Sequence, residues 1–251
     1  MLLNRGRSSV AQLRSPYKFG TSSCVKRCVV AAEVFIRKGK THKAEAFISG
    51  PRRTTGAKIV TQGPREGKSY IVFVDETGFM LGPLVRRTWA PRGKTPVLRV
   101  TTPHERISAI GAMTIRRSPL RFGFHFHLLP DNLNFHGHSI AAFLSNLRQR
   151  LRGPITIIWD QITIHSAAPV KNFLSKTPTI EVAELPPYAP ELNPVDYVWS
   201  YVKYDRLANY CPNDLFELRK TIIEELTRVK RRPRLLRSLF SGTGLSLDGL
   251  E

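Results

Sequence analysis

Two short, almost uninterrupted apolar runs constrain the fold of this chain more than any other feature. Tyr70–Val74 and Ile155–Trp159 are too short for buried helices and rich in β-branched and aromatic residues. A run without polar alternation suits a strand covered on both faces, and so a sheet with helices on either side. Each run stops at an acid, Asp75 and Asp160. Ligands of open α/β sheets bind at the carboxyl ends of strands. A carboxylate abutting a buried strand is costly unless it is paired or bound to a cation.

The remaining periodicity fills in an α/β fold, a mixed sheet flanked by helices. Leu84–Trp89 and Pro96–Thr101 are short strand candidates, and Ile107–Ile115 is a longer one. Phe122–Leu129 sets Phe122, Phe124, Phe126 and Leu128 against Gly123, His125 and His127, a period of two. Residues 138–151 place Ile140, Phe143, Leu144, Leu147 and Leu151 on one helical stripe. A short helix at Val170–Leu174 and a strand at Ile180–Leu185 follow, then helices at Val195–Ala208 and Asn213–Val229.

A third acid stands in the segment Leu185–Trp199. Asn193 suits an N-cap and Pro194 the first helical position, which puts Asp196 in the first turn. Val195, Val198, Trp199 and Val202 recur at helical spacing and would bury that helix against the sheet. Asp196 is thereby fixed at the sheet edge. Each acid alone has a plain explanation, a strand-end turn or a cap. The three together point to chemistry.

Charge names the partner class. The chain holds 39 Lys and Arg against 19 Asp and Glu, net +20, which calls for a polyanion. Residues 1–70 carry 15 basic and 3 acidic residues. Residues 1–68 read as a weakly structured basic segment, dominated by Gly, Ser, Thr, Arg and Lys. Their acid-free start resembles a transit peptide and equally fits a DNA-binding arm or a remnant. A second basic cluster, Lys230, Arg231, Arg232, Arg234 and Arg237, lies near the C-terminus. Arg231 and Arg232 are taken as DNA-binding candidates. Three cysteines are too few for a disulfide scaffold and suit a reducing compartment. Cys24, Cys28 and His42 lack a second ligand pair at zinc-finger spacing. No apolar run reaches the ~20 residues of a membrane span.

Three segments carry a family resemblance: Val72–Phe79, Ile158–His165 and Leu185–Trp199. They resemble the catalytic blocks of the DDE transposases, in particular the bacterial insertion-sequence branch of the mariner superfamily. Arg87, Trp89, Ala90, Pro91 and Gly93 match a further motif of that branch, and Asp160 and Asp196 are 36 residues apart, close to the family's spacing. The resemblance implies a ribonuclease H-like catalytic domain over residues 69–240, with 241–251 as a tail. It implies two divalent ions, magnesium with manganese able to substitute, held by Asp75, Asp160 and Asp196 as catalytic and metal-binding residues. Glu76 adjoins Asp75 but points to the other strand face, and Asp205 lies too far along its helix. His165 matches a histidine of the second block, either touching DNA or shaping the pocket.

The implied activity is DNA strand cleavage and strand transfer during transposition. The implied partner is double-stranded DNA, both element ends and target, with a homodimer as an open expectation. The expected place is cytoplasmic, at the bacterial nucleoid. Gln161 departs from the Asn or Gly usual after the second acid. Relatives carry helix-turn-helix modules ahead of the catalytic domain. Residues 1–68 show no such periodicity, and an N-terminally truncated or frameshifted copy is the expectation. Two competing readings are an inactive, non-specific DNA-binding remnant and a ribonuclease H-like nuclease without strand transfer.

Overall fold

The computed structural model describes residues 34–36, 59–61, 69–90, 92, 97, 104–187 and 189–245. Two three-residue strands, β1 (Val34–Ile36) and β2 (Ile59–Thr61), pair in parallel. The rest of residues 1–68 lies outside the described residues.

The body of the molecule is a five-stranded mixed sheet in the order β5-β4-β3-β6-β7. β3 (Tyr70–Met80), β4 (Arg106–Arg116) and β5 (Arg121–Leu128) form an antiparallel meander. β6 (Ile155–Trp159) and β7 (Ile180–Glu184) add to β3 in parallel. The β3–β6 pairing closes with Phe73 opposite Ile158. Continued by two residues, that register sets Asp75 level with Asp160.

Strand alternation sorts the core into two layers. On one face Val72, Val74, Ile110, Ala112, Ile155 and Ile157 pack under α1 (Gly137–Arg150) and α2 (Ala168–Ser175). On the other face Ile71, Phe73, Met113, Ile115 and Ile158 pack under α3 (Pro194–Tyr201), α4 (Leu215–Lys230) and α5 (Pro233–Ser241). Among the described residues no helix is long and apolar enough to cross a membrane.

Several sequence expectations are corrected. β3 does not end at Asp75; it runs to Met80, because antiparallel pairing with β4 continues where the parallel partner stops. Leu84–Trp89 is not a strand. Leu84 makes one isolated bridge to Ala208, while Val85 and Trp89 are 74% and 89% exposed. Apolar composition there lacks a sheet face to cover it. Of Pro96–Thr101, all but residue 97 lies outside the described residues. The helix expected over Val195–Ala208 is α3 followed by a π-helical turn, Val202–Arg206. The fifth helix was hidden by its arginines.

Candidate active site

Asp75 lies in β3, just past the last β3–β6 pair. Its Oδ2 accepts a 2.8 Å hydrogen bond from the Trp199 indole N–H. Trp199 reaches it by lying across Gly111, the residue opposite Asp75 in β4. A Cβ built on Gly111 would stand 2.7 Å from the indole, so only glycine permits this approach.

Asp196 is held by the start of α3. The Asn193 side chain caps the helix, accepting from the Val195 N–H at 3.1 Å, and donates through Nδ2 to the Val74 carbonyl at 3.2 Å. One buried amide therefore ties the helix N-terminus to the strand beside Asp75. Pro194 occupies the first helical position and Asp196 the first turn. The expected cap is the observed one.

Asp160 follows β6 and is anchored by His165. The imidazole is buried and stacks on Trp159 with centroids 4.1 Å apart. Its Nδ1 is 3.0 Å from the Asp160 carbonyl and 3.2 Å from carboxylate Oδ1, and its Nε2 is 3.2 Å from Glu76 Oε1. The nitrogen is directed at the carbonyl, and Oδ1 is left buried without a hydrogen bond. Oδ1 lies within ion-pair distance of the ring. Burial opposes a charged imidazole, yet the interactions with Asp160 and Glu76 push its pKa up to about 10. Both ring nitrogens of His165 are turned to protein groups.

The acids repel one another. Burial and then the charges of Asp196, Glu76 and Asp160 raise Asp75 well above the usual carboxylate range, against the pull of the Trp199 bond. Burial and Asp160 push Asp196 up to about 6, while Lys203 pulls it down. Lys203 donates to Thr77 Oγ1 at 2.6 Å and lies over the Phe79 ring. Burial lowers its pKa, and Asp75 and Asp196 oppose that shift. Negative charge thus exceeds local positive charge at this end of the sheet. Among the described residues, no group of three His, Cys, Asp or Glu stands close enough to hold one metal ion as placed.

The structure brings Asp75, Asp160 and Asp196 into one electrostatic neighbourhood. Glu76 does face away from Asp75, toward His165 as Asp75 faces Trp199. Arg231 and Arg232 are exposed at the junction of α4 and α5. Sequence reading missed Glu76 as the partner of His165, Lys203 as a cation beside the acids, and Trp199 as a ligand of Asp75. Trp199 and Lys203 stand three and seven residues after Asp196, the helical spacing that would have found them.

The strand order, the two helical layers and the acids at one sheet end define a ribonuclease H-like fold. The chain belongs to the DDE superfamily endonuclease family, whose pattern matches residues 70–219. Among solved structures, the chain is similar to the mariner Mos1 paired end complex with Mg, at 19% identity and a TM-score of 0.51, over 69% of this chain and 53% of that one. A Mos1 paired-end complex with left transposon end matches at 18% identity and 0.46, over 69% and 55%. The catalytic domain of Mos1 mariner transposase matches at 16% and 0.42, over 71% and 84%. The chain spans about half the length of the paired-end chains it matches. No curated protein matches it.

Proposed function

We propose that residues 69–240 are a transposase catalytic domain that performs metal-dependent DNA strand cleavage and strand transfer. The observation that carries this is the crowding of Asp75, Asp160 and Asp196, from three separated segments, at one sheet end with excess negative charge. The donor set suits a hard divalent cation, being all carboxylate oxygen, and Asp160 Oδ1 is buried without a hydrogen bond. The Mos1 complex with Mg accords with such a metal. Motif residues Arg87, Trp89 and Pro91 support a place in the bacterial insertion-sequence branch.

Asp75, Asp160 and Asp196 are the residues that would hold the cations. When bound, a pair of magnesium or manganese ions supplies Lewis-acid stabilisation of the oxygens that attack and leave phosphorus. The chain's own residues prepare the site. Trp199 fixes the Asp75 carboxylate and walls it from solvent. The Asn193 cap sets the height of Asp196. His165, held by Glu76, fixes the turn that carries Asp160. Lys203 offsets part of the acids' repulsion. No nucleophilic side chain is required, because water and then a DNA 3′-hydroxyl attack directly.

The test is nicking of supercoiled plasmid, with magnesium or manganese, by the purified chain and by Asp75→Asn, Asp160→Asn and Asp196→Asn. Metal-dependent nicking should fall by roughly 10³-fold or more in each variant. A chain without metal-dependent nicking would be the DNA-binding remnant. One that nicks but cannot join a pre-cut 3′ end to target DNA would be a nuclease only.

A further inference from the structure

A second cationic feature lies away from the acids. Beyond the flank of α1, the edge strand β5 is not covered by the helix, and a groove of about 390 Å³ opens there. His125 and His127 floor it, and Ser139, Asn146, Arg150 and Lys230 stand around it. No acid lines it. Neither Arg150 nor Lys230 makes an ion pair among the described residues. Burial first, and then the charges of Lys230 and Arg150, push the His125 pKa down to about 4. Arg150 and Lys230 each close the last turn of a helix, where a cation suits the dipole. That explains two cations, but not their convergence, from α1 and α4, on one groove with two imidazoles.

The groove has a direction. Ser139, in the first turn of α1, marks one end and Arg150 the other, a span of about 16 Å at 1.5 Å per residue. The first turn of α1 lies at the carboxylate end of the sheet, with Gly137 packed near Ala167, just after the His165 turn. Register agrees. Glu76 pairs with Ile110, which pairs with His127. His127 therefore stands on the same row and face as Glu76, two strands or about 10 Å away.

We propose that this groove binds the sugar-phosphate backbone of a DNA strand and leads it along α1 from the carboxylate end toward Arg150 and Lys230. The His125 and His127 imidazoles each offer a ring N–H, Asn146 offers its side-chain amide, and the Arg150 and Lys230 charges lie at the far end. The inference extends the reading of a DNA substrate given above but does not depend on cleavage.

The experiment measures affinity of the full chain for a labelled DNA duplex in EDTA, across 0.05–0.3 M KCl. Arg150→Gln combined with Lys230→Gln should lower the salt slope by about two and weaken binding roughly 10- to 100-fold at 0.1 M. Arg150→Lys with Lys230→Arg should keep the slope. An unchanged slope in the Gln pair would overturn the site. Independently of any variant, DNA should protect His127 of the unaltered chain from diethylpyrocarbonate and leave exposed His104 reactive. Equal reactivity of His127 with and without DNA would also overturn it. Protection by inorganic phosphate alone, at the same phosphate concentration, would assign a small-anion site and overturn the strand. EDTA removes cleavage from every arm. Lost nicking with this binding intact therefore sinks only the proposed function, and the reverse pattern sinks only the groove.

Discussion

Gly111 shows how one residue couples the sheet to the site. Its Cβ position is 2.7 and 2.8 Å from the Trp199 ring and 3.0 Å from Phe124. Gly111→Ala must displace the indole that bonds Asp75. The expected cost is about 1–3 kcal/mol from overpacking, read by urea unfolding, together with a shift in tryptophan emission. Trp199→Phe loses the N–H together with one ring of the buried indole. It should cost stability as well and raise the Asp75 pKa further, visible as an altered pH profile of nicking. His125 gives a separate pH effect. Its folded pKa, about 4, is depressed from 6.5, so its contribution is complete above pH 6.5 and is lost as pH falls toward 4. His125→Gln should flatten that part of a stability–pH curve, and an unaltered curve would refute the assignment. The positions of Asp160 and Asp196 were legible because a strand end and a helix cap are local signals, whereas Asp75 stands inside β3 and is marked only by the apolar run before it. The Glu76–His165 pair was not, because it joins residues 89 positions apart and only the folded register brings them together.

At the scale of elements, α3 is the best-written part of the sequence. Asn193, Pro194 and the apolar positions Val195, Val198 and Trp199 sit where the pattern sets them. Asn193→Ala removes a cap, worth about 1 kcal/mol, and strands the buried Val74 carbonyl, worth about 1–3 kcal/mol more. Denaturant unfolding should show that loss, and nicking should fall more than stability does, since Asp196 loses its anchor. Asn193→Asp keeps the capping acceptor but not the donor to Val74, and adds a charge beside three others. It should not rescue activity. By contrast α5 was illegible. Its exposed arginines dominate the reading, yet Leu236 and Phe240, four apart, are buried. Phe240 meets Phe73 and Phe122 with ring centroids 6.0 and 5.7 Å away. The Leu84–Trp89 segment failed the other way. β-propensity describes fit to a half-buried pleated surface, and no such surface lies beneath it.

The whole molecule sets a strongly basic chain, net +20, around a pocket where acids outnumber their partners. Asp75 and Asp196 have raised folded pKa values, so in metal-free protein their ionisation opposes folding. For Asp196 the sign is clear: stability is present below pH 3.8 and is lost as pH rises through about 6. This trend runs against that of His125 over the same window, so metal-free protein should show a flattened acid limb. Asp75→Asn removes one repelled charge and leaves a side-chain oxygen to accept from Trp199. It should stabilise the metal-free chain while abolishing nicking. Divalent cation should reverse the comparison. A ligand that binds only the folded state contributes about 2.7 kcal/mol at a hundredfold excess over its dissociation constant. Wild type should therefore gain thermal stability with magnesium or manganese beyond that given by sodium chloride of equal ionic strength, and Asp75→Asn should gain little. Unfolding of both proteins in EDTA, sodium chloride and manganese measures each part. Equal stabilisation of both by manganese would show that the ion binds elsewhere, and a less stable Asp75→Asn in EDTA would show that the Asp75 charge supports the fold.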